Sequence, residues 1–237
     1  MLEINGIHVF RGPAHILNGI SLSVQESEVV CLVGRNGAGK TTTIDSIMGL
    51  LPVRGGTVTF QGRDITALPT HMRAREGLGY APEDAGIFPD LSVEENILLS
   101  KILAGSQRNR TGTGADADER IYAVFPEVKA MLGRRGLFLS GGQKKMVAIS
   151  RAMALSPSLL LLDEAFEGLA PVVVNRFREA VIKIKAMGIS ILIAESNLMT
   201  ASRVADRLYA IDRGEIIFSG KPEEALANEE VMRTIRG

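Results

Sequence analysis

Gly34, Gly39, Lys40 and Thr41 lie in the run GRNGAGKTT with the spacing G-x-x-x-x-G-K-[ST]. That spacing suits one task above others, which is holding a phosphate. The glycines let backbone N–H groups curl around the anion, and the helix that follows adds the positive end of its dipole. The candidate ATP-binding residues are therefore Gly34, Arg35, Asn36, Gly37, Ala38, Gly39, Lys40, Thr41 and Thr42. Lys40 is expected to reach the β- and γ-phosphates, and the Thr41 hydroxyl to bind Mg2+.

Two further constellations bear on the same chemistry. LLLLDE, residues 159–164, is an apolar run that ends on two acids. Asp163, at the strand's carboxyl end, is placed to hold the Mg2+ through water, and Glu164 to orient or deprotonate the attacking water. LSGGQ spans Leu139, Ser140, Gly141, Gly142 and Gln143. A serine and two glycines at a helix start make a second anion-binding nest from the Ser140 hydroxyl and the Gly141 and Gly142 N–H groups. A chain that already has one phosphate loop uses a second nest economically if two copies pair head to tail, each nest closing on the other's nucleotide.

These residues need elements to hold them. Residues 28–33, EVVCLV, form the unbroken apolar run of a strand buried on both faces, and residues 39–50 carry helical spacing. Short β-rich segments are expected at 2–10, 20–24 and 57–60. Beyond 157, strands at 159–163, 189–194, 207–211 and 215–218 alternate with helices at 172–187, 198–204, 222–227 and 229–235. Between 84 and 156 the texture is helical, with Ser92 and Glu95 spaced as a capping box that starts a helix at Val93. Residues 104–119, AGSQRNRTGTGADADE, read as a mobile surface loop. The fold class expected is α/β, with a helical insertion in the middle.

The bulk composition narrows the partners. Lys plus Arg and Asp plus Glu both total 27. That balance argues against non-specific nucleic-acid binding through a basic face. The single cysteine, Cys31, sits in an apolar strand, as expected of a buried, inert thiol. MLEINGIHVF lacks the pattern of a secretory leader. No apolar run approaches the ~20 residues needed to span a bilayer. None of His8, His15 or His71 has metal-ligand spacing, so no structural metal is expected.

Taken together and in this order, the phosphate loop, LSGGQ and LLLLDE resemble the nucleotide-binding subunit of an ABC transporter, over about residues 3 to 220. More narrowly, ILNGISL, GRNGAGKTTT, MGLLP, RDITALP, GIFPDLSVEENI and EGLAP resemble the LivF-type ATPase of branched-chain amino-acid importers, with urea and short-amide importers as close kin. The resemblance implies a P-loop NTPase core with an antiparallel β subdomain, about 1–83 and 157–237, and a helical signature subdomain, about 84–156. It implies ATP and Mg2+ as ligands. The implied partners are a second ABC ATPase subunit, identical or a LivG-like paralogue, and two integral membrane permease subunits. A periplasmic or extracellular solute-binding protein would act indirectly, and no nucleic acid would take part. The expected location is peripheral, on the cytoplasmic face of the plasma membrane. A soluble ABC ATPase of DNA or the ribosome would carry two halves or a coiled-coil insertion, which this chain lacks.

Five positions depart from the family pattern. Glu83, in YAPEDAG, stands where most ABC ATPases have glutamine; it is retained as a Mg2+ and attacking-water sensor. Ser196, in IAESN, takes the place of the switch histidine and has neither its imidazole nor its reach. Arg11, in VFRG, falls where an aromatic residue stacks on adenine; either its guanidinium or the ring of Phe10 could serve. Ala165 and Phe166 replace the usual proline and serine after Glu164. Such departures also fit a subunit that binds ATP and hydrolyses it slowly, against which Lys40, Asp163 and Glu164 speak.

Overall fold

The structure, a computed structural model, describes residues 1–105 and 114–236. Two sheets make its frame. The larger has six strands in the order β10-β9-β3-β8-β7-β6, formed by β3 (Val29–Val33), β6 (Leu78–Ala81), β7 (Leu159–Asp163), β8 (Ser190–Glu195), β9 (Arg207–Asp212) and β10 (Glu215–Gly220). It is parallel from β9 to β6, with β10 antiparallel at its edge. All five residues of β3 and of β7 are buried, because both faces of a parallel sheet are covered. Cys31 is among them, its thiol held in its protonated form by burial.

The smaller sheet is antiparallel, in the order β2-β1-β4-β5, from β1 (Leu2–Arg11), β2 (Ala14–Val24), β4 (Val53–Phe60) and β5 (Arg63–Asp64). β2 starts six residues earlier than the sequence suggests and β4 four, because glycines and bulges hide the alternation. Gly56, at φ +80°, shows why: a Cβ there would lie 2.3 Å from the Gly6 carbonyl oxygen. Only glycine lets the two backbones approach so closely.

Helix α1 (Lys40–Met48) packs between the two sheets. A short α2 (Thr70–Glu76), not expected from the sequence, runs into β6. Between β6 and β7 come α3 (Val93–Gly105), α4 (Gly114–Val124), α5 (Pro126–Ala130) and α6 (Gly141–Met153), which pack on one another. The capping box at Ser92 is formed: its N–H reaches Glu95 Oε2 at 2.7 Å, and Glu95 N–H returns to Ser92 Oγ at 3.1 Å. Of the loop expected at 104–119, residues 106–113 lie outside the described residues, and 114–119 belong instead to α4. Ala117 and Ile121 bury one face of that helix, which supplies the tertiary packing its polar composition conceals. After β7 follow α7 (Pro171–Ala186), α8 (Leu198–Ser202), α9 (Pro222–Ala227) and α10 (Glu229–Arg236).

Candidate active site

The glycine loop joins β3 to α1 under tight steric control. A Cβ on Gly34 would lie 2.4 Å from the Ile211 carbonyl oxygen. Gly39, at φ +115°, ends the loop and leads into α1. Lys40 folds back over its own loop, donating to the carbonyls of Gly34 at 2.8 Å and Arg35 at 3.1 Å. Beside the loop opens a cleft of about 410 Å³, lined among others by Asn36, Lys40, Thr41, Glu83 and Glu164.

β7 ends here, between β6 and β8, and delivers Glu164 to the cleft and Asp163 to an adjoining hollow that shares Thr41 and Glu83 with it. Thr41 Oγ1 donates to Asp163 Oδ1 at 3.2 Å. Asp163 Oδ2 is buried with no hydrogen-bond partner among the described residues. Burial pushes the Asp163 pKa up to about 6, against the Thr41 bond and with help from the charges of Glu164 and Glu83. An orphaned carboxylate oxygen next to a threonine hydroxyl, with Glu83 on the same wall, is the donor set of a hard cation that keeps several waters. No group of three or more His, Cys, Asp and Glu among the described residues could hold a metal ion.

Glu164 sits at φ +46°, a left-handed conformation uncommon for glutamate. Its N–H is tied to the Ala194 carbonyl at 2.9 Å. Its carboxylate meets the Lys40 ammonium at 3.0 Å. It also takes the Ser196 hydroxyl at 2.5 Å and the Ser196 N–H at 3.1 Å. Ser196 Oγ lies 2.9 Å from the Asn36 side-chain oxygen as well. The hydroxyl thus stands between the phosphate loop and the acid, short reach notwithstanding.

The remaining sequence candidates distribute as follows. Arg11 lines the cleft, and its guanidinium donates to Asp45 Oδ2 at 3.1 Å. Phe10 does not line it. The β1–β2 register pairs Phe10 with His15, and the two rings stack at 4.2 Å, covering one face of the Phe10 ring. None of Leu139, Ser140, Gly141, Gly142 and Gln143 lines this chain's own cleft either. Ser140 caps α6 in a reciprocal box with Gln143, leaving the N–H groups of Gly141 and Gly142 in the unpaired first turn.

Sequence reasoning missed Glu195. It is 2% exposed at the end of β8, takes the N–H groups of Ser196 at 3.0 Å and Asn197 at 3.1 Å on Oε1, and leaves Oε2 without a partner among the described residues. Burial raises its pKa to about 7, and the Glu164 charge adds to the shift. Its only signal in the sequence is an acid ending an apolar run, the same signal that marks Glu164.

Comparison with known proteins bears on what this cleft does. The sequence profile of the ABC transporter family matches residues 17–167. The lipopolysaccharide export system ATP-binding protein LptB of Haemophilus influenzae is 36% identical over 226 residues, covering 94% of this chain and 91% of its own length. A probable ABC transporter ATP-binding protein of Azorhizobium caulinodans is 36% identical over 234 residues, 98% of this chain and 81% of its own. Among solved structures, the ADP conformation of MJ1267, an ATP-binding cassette of an ABC transporter, superposes with a TM-score of 0.84 at 27% identity, covering 100% of this chain and 98% of the other.

Proposed function

The chain belongs to the ABC transporter family and is an ATPase, and on that premise we propose that it is the energy-coupling subunit of a multi-subunit transporter. One observation carries the catalytic reading: Glu164 is held at the cleft by Lys40 and Ser196, next to the orphaned oxygen of Asp163. Lys40 and the loop N–H groups from Arg35 to Thr42 bind the phosphates, while Arg11 stands at the mouth for the base. Thr41, Asp163 and Glu83 would hold Mg2+, whose chemistry there would be to neutralise phosphate charge. Glu164 takes the proton of the attacking water, and Ser196 fixes the carboxylate for it. Leu139 to Gln143, absent from their own chain's cleft, close on the nucleotide of a second subunit, identical or a LivG-like paralogue.

The division of labour follows the layers. Residues of about 1–83 and 157–237 make the nucleotide-binding core, and about 84–156 the helical subdomain that meets the membrane partner. That subdomain and the turn leading to it expose Phe88, Leu98, Leu99, Ile102, Leu137 and Phe138, an apolar surface suited to a helix of a permease subunit. No described helix is long and apolar enough to cross a membrane, which agrees with peripheral docking on two separate permeases at the cytoplasmic face.

For the cargo, the LivF-like runs favour import of branched-chain or other hydrophobic amino acids, with urea or short amides behind and a solute-binding protein acting indirectly. The relatives named above favour a second reading, since LptB is named for lipopolysaccharide export and none of those names carries amino-acid import. Purification of the membrane complex and its reconstitution into liposomes decides. Leucine uptake driven by ATP supports the first reading, and ATP-driven extraction of lipopolysaccharide supports the second. Failure of any integral membrane subunit to co-purify would remove the transport assignment altogether.

A further inference from the structure

We propose that Lys145 is a positioning residue through which each chain's own signature helix sets its own Glu164. Lys145 lies on α6, five residues past the Ser140 cap. Its ammonium donates to the carbonyl oxygen of Glu164 and, at 3.0 Å, to that of Glu167. Those two carbonyls bound the turn that follows β7, in which the Glu167 N–H also donates to the Glu164 carbonyl at 3.2 Å. The ammonium therefore clamps both ends of the turn whose first residue carries the unusual φ of +46°. A side chain cannot keep its direction if the backbone bearing it relaxes, so a clamp on that carbonyl is a clamp on the carboxylate.

The clamp is mounted on the helix whose N-terminus carries the second anion-binding nest. Lys145 does not line the nucleotide cleft, so it acts on the reacting atoms only through Glu164. The start of α6 also packs on the residues just beyond that turn: a Cβ on Gly142 would lie 3.2 Å from Val173 Cγ1 and 3.6 Å from Leu169 Cδ2. Ala165 and Phe166, inside the turn, are buried. A shift of the α6 N-terminus therefore reaches Glu164 along a lysine about one and a half helical turns away. In the head-to-tail pairing proposed above, on which this inference rests, that N-terminus meets the neighbour's triphosphate. Filling one site then aligns the carboxylate that serves the other, a coupling between two sites in the thermodynamic sense.

The test uses the full chain, alone and co-purified with its membrane subunits. Wild-type hydrolysis should depend on ATP sigmoidally. Lys145→Met should lower kcat about tenfold to a hundredfold, the scale for a misplaced catalytic group, abolish the sigmoidicity, and leave KM within about twofold. Lys145→Arg, which keeps cationic donors, should restore both kcat and the sigmoid shape. Should Lys145→Met fail to fold, Lys145→Gln is read in the same assay. A folded variant with wild-type kcat and sigmoidicity overturns the role of Lys145, as does a hyperbolic wild type. The pairing itself is read separately, from Glu164→Gln with ATP. A trapped dimer confines any failure to Lys145, and a persistent monomer in both preparations removes the pairing.

Discussion

The Lys40 ammonium and the Glu164 carboxylate lie 3.0 Å apart, each side chain only 4% exposed to solvent. The residue meant to bind phosphate and the residue meant to activate water thus neutralise each other. Both also hold other partners: Lys40 the carbonyls of its loop, Glu164 the hydroxyl of Ser196. A triphosphate entering the loop competes with the carboxylate for the same ammonium. Its arrival would leave Glu164 on Ser196 alone, charged and free to accept a proton.

Glu164→Gln tests that competition. The amide keeps the shape and cannot take a proton at neutral pH, so phosphate release should fall by about 10²–10⁴-fold, the range for a general base. Lys40 loses its internal counter-ion, so equilibrium ATP binding should tighten several-fold. Weaker ATP binding than in the wild type would show that the ion pair does not compete with nucleotide.

Lys40→Ala should do more than abolish nucleotide binding. It leaves the buried Glu164 charge uncompensated, which costs about 3–5 kcal/mol for a buried pair broken on one side. The double variant Lys40→Ala, Glu164→Gln removes both charges and should recover most of that loss. Urea unfolding of the four proteins in the absence of nucleotide gives the cycle. A double variant no more stable than Lys40→Ala would rule out the buried charge as the cause.

What could be read in advance was whatever depends on local pattern. β3 and β7 announce themselves as unbroken apolar runs, the phosphate loop by its glycine spacing, and the α3 start by Ser92 and Glu95. What depends on tertiary partners stayed hidden. The stacking of Phe10 on His15 follows from the hairpin register, which bulges conceal in the sequence. Nothing in the local pattern marks Lys145, and only the packing of α6 on the turn after β7 gives it carbonyls to hold. The helix α2 has weak spacing because its principal contact is a single buried arginine.

That arginine, Arg73, is 2% exposed. Its guanidinium donates to the carbonyls of Ser46 at 2.8 Å, Ile47 at 2.7 Å, Leu68 at 2.8 Å and Thr66 at 2.7 Å. Two of these belong to the last turn of α1, where helix carbonyls run short of partners; Ser46 also takes the Gly49 N–H at 3.2 Å. Arg73→Met fits the space and strands three of the four acceptors, since Ser46 keeps the Gly49 N–H, at roughly 1–3 kcal/mol for each one that water cannot reach. The expected loss is at least about 3 kcal/mol in urea unfolding, with the midpoint lowered accordingly. A loss below about 1 kcal/mol would mean that α1 does not need its cap.

Glu195 should make stability depend on pH in the direction opposite to an ion-paired acid. Burial raises its pKa from 4.5 to about 7 in the folded chain. Between those two values the native state keeps a proton that the unfolded chain has released. Raising the pH through that window therefore costs stability, at about 1.4 kcal/mol per unit and roughly 3 kcal/mol in all, and the loss levels off above pH 7. Glu195→Gln preserves an acceptor for the Ser196 and Asn197 N–H groups and has no proton to lose. The variant should match the wild type near pH 4.5 and exceed it by a few kcal/mol at pH 8. Taking the difference between the two proteins at pH 5, 6, 7 and 8 cancels every group they share. A difference that does not grow across that series would mean that Glu195 is ionised in the native state already at low pH, with its second oxygen solvated.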